Sequence, residues 1–396
     1  MTQPAILEEE PDFSLVLGGP LYQIFRRAHL SGSTLELLRR RMLVLCGLAW
    51  LPLLLLSAAA GQALGGGIAI PFLYDIEANV RFLVAMPILI GAELIVHLRL
   101  RPAVAQFVQR RIVTPEEMPK FREAIDRTMR LRNSVVAEVA LIVLVYTVGL
   151  WVWKNQVALG AASWYATPDG AHTRLTPAGF WYAFVSVPIF QFILVRWYFR
   201  FFLWFSFLWR VSRLNLRLIP THPDRAAGLS FLGRSSYAFA PVLLAQGALL
   251  AGLIANQIFH TGRSLTDFKV EAAAFVAFFV AIVLVPLSVF TPRLASAKRQ
   301  GLGQFGRLAS RYVREFDDKW VHEGAVAEET LLGSGDIQSL ADLGNSYAVV
   351  QEMRLVPFGI KDVTRLAATS ALPLLPLTLT IFSLDELVGR LFTVLL

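Results

Sequence analysis

Seven runs of apolar residues, each about as long as the roughly 20 residues that cross a bilayer, constrain this chain more than any other feature. They lie near 42–60, 80–98, 133–153, 178–200, 237–257, 270–290 and 366–384. Inside a hydrocarbon core every backbone N–H and C=O must find its partner within the protein, and helices do this residue by residue. The runs therefore predict an all-α, polytopic integral membrane protein with seven transmembrane helices. Composition agrees: 55% of the 396 residues are hydrophobic and only 17% are charged.

The charges that remain are placed by topology. Of 37 Lys and Arg residues, 29 fall in segments 1–41, 98–132, 210–236 and 291–365, and 6 in the alternate segments. By the positive-inside rule the N-terminus is cytoplasmic and the C-terminus outside. A cell membrane, the bacterial inner membrane, is the expected location, from the compact loops and the absence of glycosylation or targeting signals. The first run follows Arg39, Arg40 and Arg41 without a small-residue cleavage site, so it reads as an uncleaved span. A net charge of +8 distributed this way gives no reason to expect nucleic acid as a partner. The lone Cys46 and six scattered histidines offer no disulfide or metal-ligand spacing, and no cofactor or metal is expected.

These boundaries divide the chain into four parts. Residues 1–41 form a cytoplasmic N-terminal amphipathic segment and 42–290 a six-helix transmembrane domain. Residues 291–365 form a cytoplasmic helical region, and 366–396 a seventh helix with a short outer tail.

The stretch FILVRWYFRFFLWFSFLWR (192–210) raises a separate question, because the fourth run stays apolar past two arginines. Arg196 lies about 24 Å from Phe180 along a helix, near the inner edge of the hydrocarbon, where its head can snorkel to water. No breaker appears before Pro220, so the helix is expected to run from Phe180 to Leu218. Its aromatic last third must be covered, since soluble surfaces avoid so large an apolar patch. Two amphipathic stretches are the expected partners: 291–323, and 336–353 with Asp336 as N-cap. Residues 323–335 between them read as a linker. Long helices would then extend into a cytoplasmic helical bundle where subunits meet.

Ionisable residues inside spans mark functional or paired sites. Glu93 lies one turn before His97 on the second run, Glu138 near the inner end of the third, and Arg196 and Arg200 at the same depth on the fourth. An unpaired charge there costs at least roughly 2.5 kcal/mol, so interhelical ion pairs are expected. GLGQFG (301–306) matches a dinucleotide-binding pattern, but it follows an apolar span rather than a strand. HPD (222–224) reads as part of a turn, with Asp224 capping a short helix. Nothing assembles a nucleophile, a base and an oxyanion hole, so an enzyme is not expected.

The seventh run, ALPLLPLTLTIFSLDEL, combines Pro373 and Pro376 with hydroxyls and an acidic end. Repeated around a symmetry axis it would line a cation pore with Leu375, Thr378, Leu379, Thr380, Phe382, Ser383, Asp385 and Glu386. A small-molecule pocket is expected among Tyr146, Trp151, Trp153, Trp181, Tyr182 and Gln191 in the outer halves of the spans.

Seven spans, an inside N-terminus, an outside C-terminus, an over-long fourth helix and a divided seventh resemble the seven-transmembrane ion channel superfamily that includes insect odorant and gustatory receptors. The resemblance is topological and covers nearly the whole chain. It implies a tetramer joined through a cytoplasmic anchor domain, with a cation pore lined by the last helix. The family's tyrosine-containing pattern in that helix is replaced here by TLTIFSL, so no functional residue is carried over. The function expected is a homo-oligomeric, ligand-gated, cation-permeable channel whose partners are the bilayer, other copies of itself, permeant ions and a small-molecule ligand. A secondary transporter and a non-conducting sensor or scaffold are the alternatives.

Overall fold

The computed structural model describes residues 13–20, 22–23, 37–149, 151, 163–169, 172–322 and 333–380, and these are almost wholly helical. The helices are α1 (Leu38–Ala59), α2 (Ile76–Gln109), α3 (Pro115–Arg132), α4 (Val135–Gly149), α5 (Pro177–Ser212), α6 (Phe231–Thr261), α7 (Leu265–Trp320), α8 (Gly335–Gln351) and α9 (Ile360–Ala371). A two-stranded hairpin, β1 (Ala166–Asp169) with β2 (His172–Leu175), precedes α5.

Five helices (α1, α2, α5, α6 and α7) are long and apolar enough to cross a membrane, and the pair α3–α4, bent by 47°, makes a sixth if counted as one span. The apolar side chains they leave exposed are far more than a soluble surface tolerates: Leu43, Leu55, Val136, Val143 and Phe278 all face outward. The seventh expected span is described only as far as Thr380, and there the chain forms α9 followed by a 3₁₀ helix, Leu372–Thr380. Pro373 and Pro376 remove two amide donors from that stretch.

Prolines shape the spans elsewhere too. Pro52 inside α1 has no N–H for the carbonyl of Leu48, and Trp181 Nε1 donates to that carbonyl at 3.2 Å instead. Ser186 adds a bond to the next carbonyl, Ala49, at 2.6 Å. Pro188 likewise frees the carbonyl of Phe184, which accepts from the Tyr146 hydroxyl at 3.4 Å. Short π-helical turns, Arg81–Ala85 and Tyr182–Ser186, stand just before Pro87 and Pro188, where the ladder must lose a bond in any case.

α6 is the central helix. Its most apolar stretch is 72% buried, against 17% for α1, and it packs between α2 and α9. The crossing with α9 depends on Gly247, where a Cβ would run into the carbonyl oxygen of Ser370. On the other side, α1, α2, α4 and α5 form a bundle of their own.

Two expectations about the aromatic helix change. α5 ends at Ser212 rather than Leu218: Arg293 of α7 donates to the terminal carbonyls of Ser212 and Arg213 at 3.2 and 3.0 Å, and Leu216 then bridges to Val113 as extended chain. Its aromatic third is only partly covered, and by different partners from those expected: Phe201, Trp204 and Phe207 are buried, while Phe202, Phe205 and Trp209 stay exposed. α3 lies along it, Phe121 meeting Phe207 at 6.1 Å, and Phe13 of the N-terminal segment meets Phe207 at 4.8 Å and Trp204 at 6.0 Å.

α7 runs 56 residues, about 84 Å, and its second half pairs with α8. Ser334, not Asp336, caps α8, its hydroxyl accepting the Asp336 N–H at 3.2 Å. The Asp336 carboxylate instead accepts from Lys319 Nζ and Trp320 Nε1, each at 2.9 Å, and ties the far end of α7 to the start of α8. GLGQFG lies within continuous α7 helix, as its non-nucleotide reading requires.

Candidate functional site

Where α1, α2, α4 and α5 meet, the structure brings the expected intramembrane charges together. Arg200 Nη2 lies 2.6 Å from Glu93 Oε1, and Arg196 Nη2 lies 3.4 Å from Glu138 Oε1. Arg41 joins them by bonding the other oxygen of Glu93. Arg41, Glu93, Glu138 and Arg200 are all buried, as the pairing requires. Arg200 also stacks over the Trp197 ring at 4.5 Å, and Trp197 Nε1 donates to the carbonyl of Leu89 at 3.0 Å.

Arg41 was not singled out by the sequence, where it reads as the last of three basic residues flanking a span. The discriminating signal is its position in the first turn of α1, which turns it inward while Arg39 and Arg40 stay exposed. The Nδ1 of His97 sits 3.0 Å from the hydroxyl of Ser14. The N-terminal segment thus closes the site from below. Phe13, Leu15 and Val16 are buried, Arg132 bonds the Ser14 carbonyl, and Gly19, at φ +92°, passes so close that a Cβ would stand 3.2 Å from Glu138 Oε1.

Above these charges lies a cavity of about 320 Å³. Arg41, Glu93 and Arg196 form its charged end, and Leu45, Ile90, Ile142, Val145, Tyr146, Pro188, Ile189, Phe192 and Ile193 its walls. From Pro188 to Arg196 it follows α5 for about 12 Å. A chamber of this size, apolar over most of its surface with a few convergent polar groups, has the character of a small-molecule site.

The residues expected to form the outer pocket take several roles among the described residues. Tyr146 alone of that set lines the cavity. Trp181 and Tyr146 spend their polar tips on the proline-freed carbonyls, and Gln191 Nε2 donates to the Gly149 carbonyl at 3.3 Å. Tyr182 is buried against Arg81 in a second polar cluster, where Arg81 also bonds Glu77, and Trp164 Nε1 donates to Asp75 at 3.0 Å. Trp151 is exposed, and Trp153 lies outside the described residues.

Of the expected pore residues, Leu375, Leu379 and Thr380 are exposed and Thr378 half-exposed. The hydroxyls of Thr378 and Thr380 donate to the carbonyls of Leu375 and Leu377, at 2.6 and 2.7 Å, within the 3₁₀ turn. Phe382, Ser383, Asp385 and Glu386 lie outside the described residues. The HPD tripeptide is a turn: Asp224 accepts from the N–H groups of Ala226, Gly228 and Ser230 at 2.8, 3.1 and 3.1 Å. It organises the loop before α6 rather than capping that helix.

Compared with known proteins, the chain matches no family model, no curated protein and no solved structure.

Proposed function

We propose that this protein is a multi-pass membrane receptor for a small, largely apolar ligand held between α1, α2, α4 and α5. The observation that carries the reading is the 320 Å³ cavity, walled by aliphatic and aromatic side chains and closed at one end by Arg41, Glu93 and Arg196. A ligand there would touch four helices at once and reach the ion-pair network that joins them. Its binding would bias how those helices pack, which is the requirement for a receptor.

The test is thermal stability of the purified full-length protein against a library of small apolar and amphiphilic compounds, with Ile193→Trp alongside. A compound present at 100 times its Kd stabilises by about 2.7 kcal/mol. Wild type should show such a shift and the Trp-filled variant should not. Equal shifts in both proteins would remove the cavity from the account.

Ion conduction is the second proposal, and it draws on Leu372–Thr380. This segment leaves Leu372, Leu375 and Leu379 exposed while Leu377 is buried against the α6 side. We propose seven spans with a cytoplasmic N-terminus in a bacterial inner membrane, an oligomer, expected to be a tetramer, joined through the α7–α8 region, and a cation pore lined by the seventh span. Light scattering gives the copy number. Reversal potentials in a salt gradient, with Asp385→Asn/Glu386→Gln beside wild type, give the selectivity: weakened cation preference in the double variant is the expected result, and an unchanged preference rules out that outer ring.

A further inference from the structure

A second basic site lies away from the cavity, where the far end of α2 meets the start of α6. A cleft of about 610 Å³ is lined there by Leu98, Arg99, Gln106, Arg110 and Arg234, among others. It continues into a smaller recess of about 170 Å³ that shares Arg99 and Arg234 and adds Arg365 from α9. Arg99, Arg110, Arg234 and Arg365 are all exposed, and among the described residues none of them forms a salt bridge. The carboxylate lining the recess, Asp362, accepts the Gly359 N–H at 2.8 Å as the cap of α9.

Two of the guanidiniums are held in place by rings. Arg99 stands 5.5 Å from the centre of Tyr237, and Arg110 stands 5.3 Å from Phe231. Beside the cleft, Ile95 and Leu98 present exposed aliphatic side chains on the same α2 helix that crosses the bundle. The site therefore offers several positive charges and amide donors next to an exposed apolar surface on a helix long and apolar enough to cross a membrane, an arrangement that fits a phosphate head attached to acyl chains.

We propose that the Arg99–Arg110–Arg234 cleft binds the phosphate headgroup of an anionic phospholipid at the basic end of the transmembrane bundle. Arg99 and Arg234 hold the phosphate from both connected chambers. Arg110 and Gln106 border it, and the acyl chains run along Ile95 and Leu98. A free anion would use the same guanidiniums and make no use of the aliphatic border.

Native mass spectrometry of the full-length protein, titrated in detergent with phosphatidylglycerol or phosphatidylcholine, tests this. Wild type should take up phosphatidylglycerol at least tenfold more tightly. Arg99→Gln/Arg234→Gln should lose most of that preference, Arg99→Lys/Arg234→Lys should keep part of it, and Arg311→Gln on α7 should leave it intact. Addition of inorganic phosphate at millimolar concentration should not displace the lipid. Equal uptake of the two lipids by wild type would overturn the proposal, with no variant required. So would an unchanged preference in a folded Gln variant, or displacement by inorganic phosphate, which would mark the cleft as a site for free anions.

Discussion

At the scale of single residues, the buried charges make the sharpest predictions because each has a named partner. Arg196 faces Glu138 and Arg200 faces Glu93, so rescue by charge exchange must follow those pairs. Removing one member of a buried pair costs about 3–5 kcal/mol. Arg196→Glu should therefore lose folded yield and thermal stability, and Glu138→Arg should restore most of both, whereas Glu93→Arg should not. Arg200→Glu should be rescued only partly by Glu93→Arg, because the new arginine would then stand beside Arg41. Asp224 makes a pH prediction outside the membrane. Burial raises its pKa, and the N–H groups of Ala226, Gly228 and Ser230 outweigh that and hold the carboxyl below its ordinary range. A carboxyl lowered by folding stabilises fully above its unfolded pKa, about 3.9, and loses that contribution as pH falls through the lower folded value. Asp224→Ala should cost on the order of 1.5–3 kcal/mol at neutral pH and erase that acid-dependent part of the melting curve.

At the scale of elements, the close crossing of α6 and α9 decides which glycines matter. A methyl group at Gly247 meets the Ser370 carbonyl, so Gly247→Ala should destabilise by about 1–3 kcal/mol through overpacking. At Gly47 on α1 an added Cβ has nothing within 4 Å, and Gly47→Ala should be neutral or gain up to about 1 kcal/mol of helix propensity. Thermal melts of the two variants separate a packing requirement from a general intolerance of substitution. The Asp336 tie between α7 and α8 is exposed and of another kind. Asp336→Ala should raise hydrogen exchange at 312–320 and 335–340 while the global melting temperature stays unchanged, since exposed ion pairs contribute at most about 1 kcal/mol. A large global drop would mean that this hairpin is part of the cooperative core.

At the scale of the whole molecule, the proposed topology follows from charge asymmetry and is open to direct measurement. In a Cys46→Ala background, a cysteine replacing Asp317 should react with an impermeant maleimide only when the cytoplasmic side is opened. One replacing Arg263 should react in intact cells. The opposite pattern would invert the orientation and place the basic cleft at the outer leaflet. Much of this scale was readable from the chain. Apolar runs gave five long helices, or six with the bent α3–α4 pair, Arg196 and Arg200 inside one of them gave the need for partners, and Glu93 and Glu138 at matching depth gave the candidates. The role of Tyr146 and Trp181 was not readable, because an aromatic near a membrane interface has the same sequence signature whether it lines a pocket or serves a carbonyl freed by a distant proline.

The sequence by itself determined which segments become helices and which residues cannot be left alone in lipid, because hydrophobic run length and the cost of an unpaired charge act locally and depend on little else. Only the tertiary structure decided the partners: Arg41 turned inward onto Glu93, α3 and Phe13 laid over the aromatic end of α5, and a cavity left above the ion pairs. These depend on how helices distant in sequence approach one another, and small features set that approach, such as Gly247, Pro52 and the Gly18–Gly19 turn, whose consequences appear only when a second helix is in place.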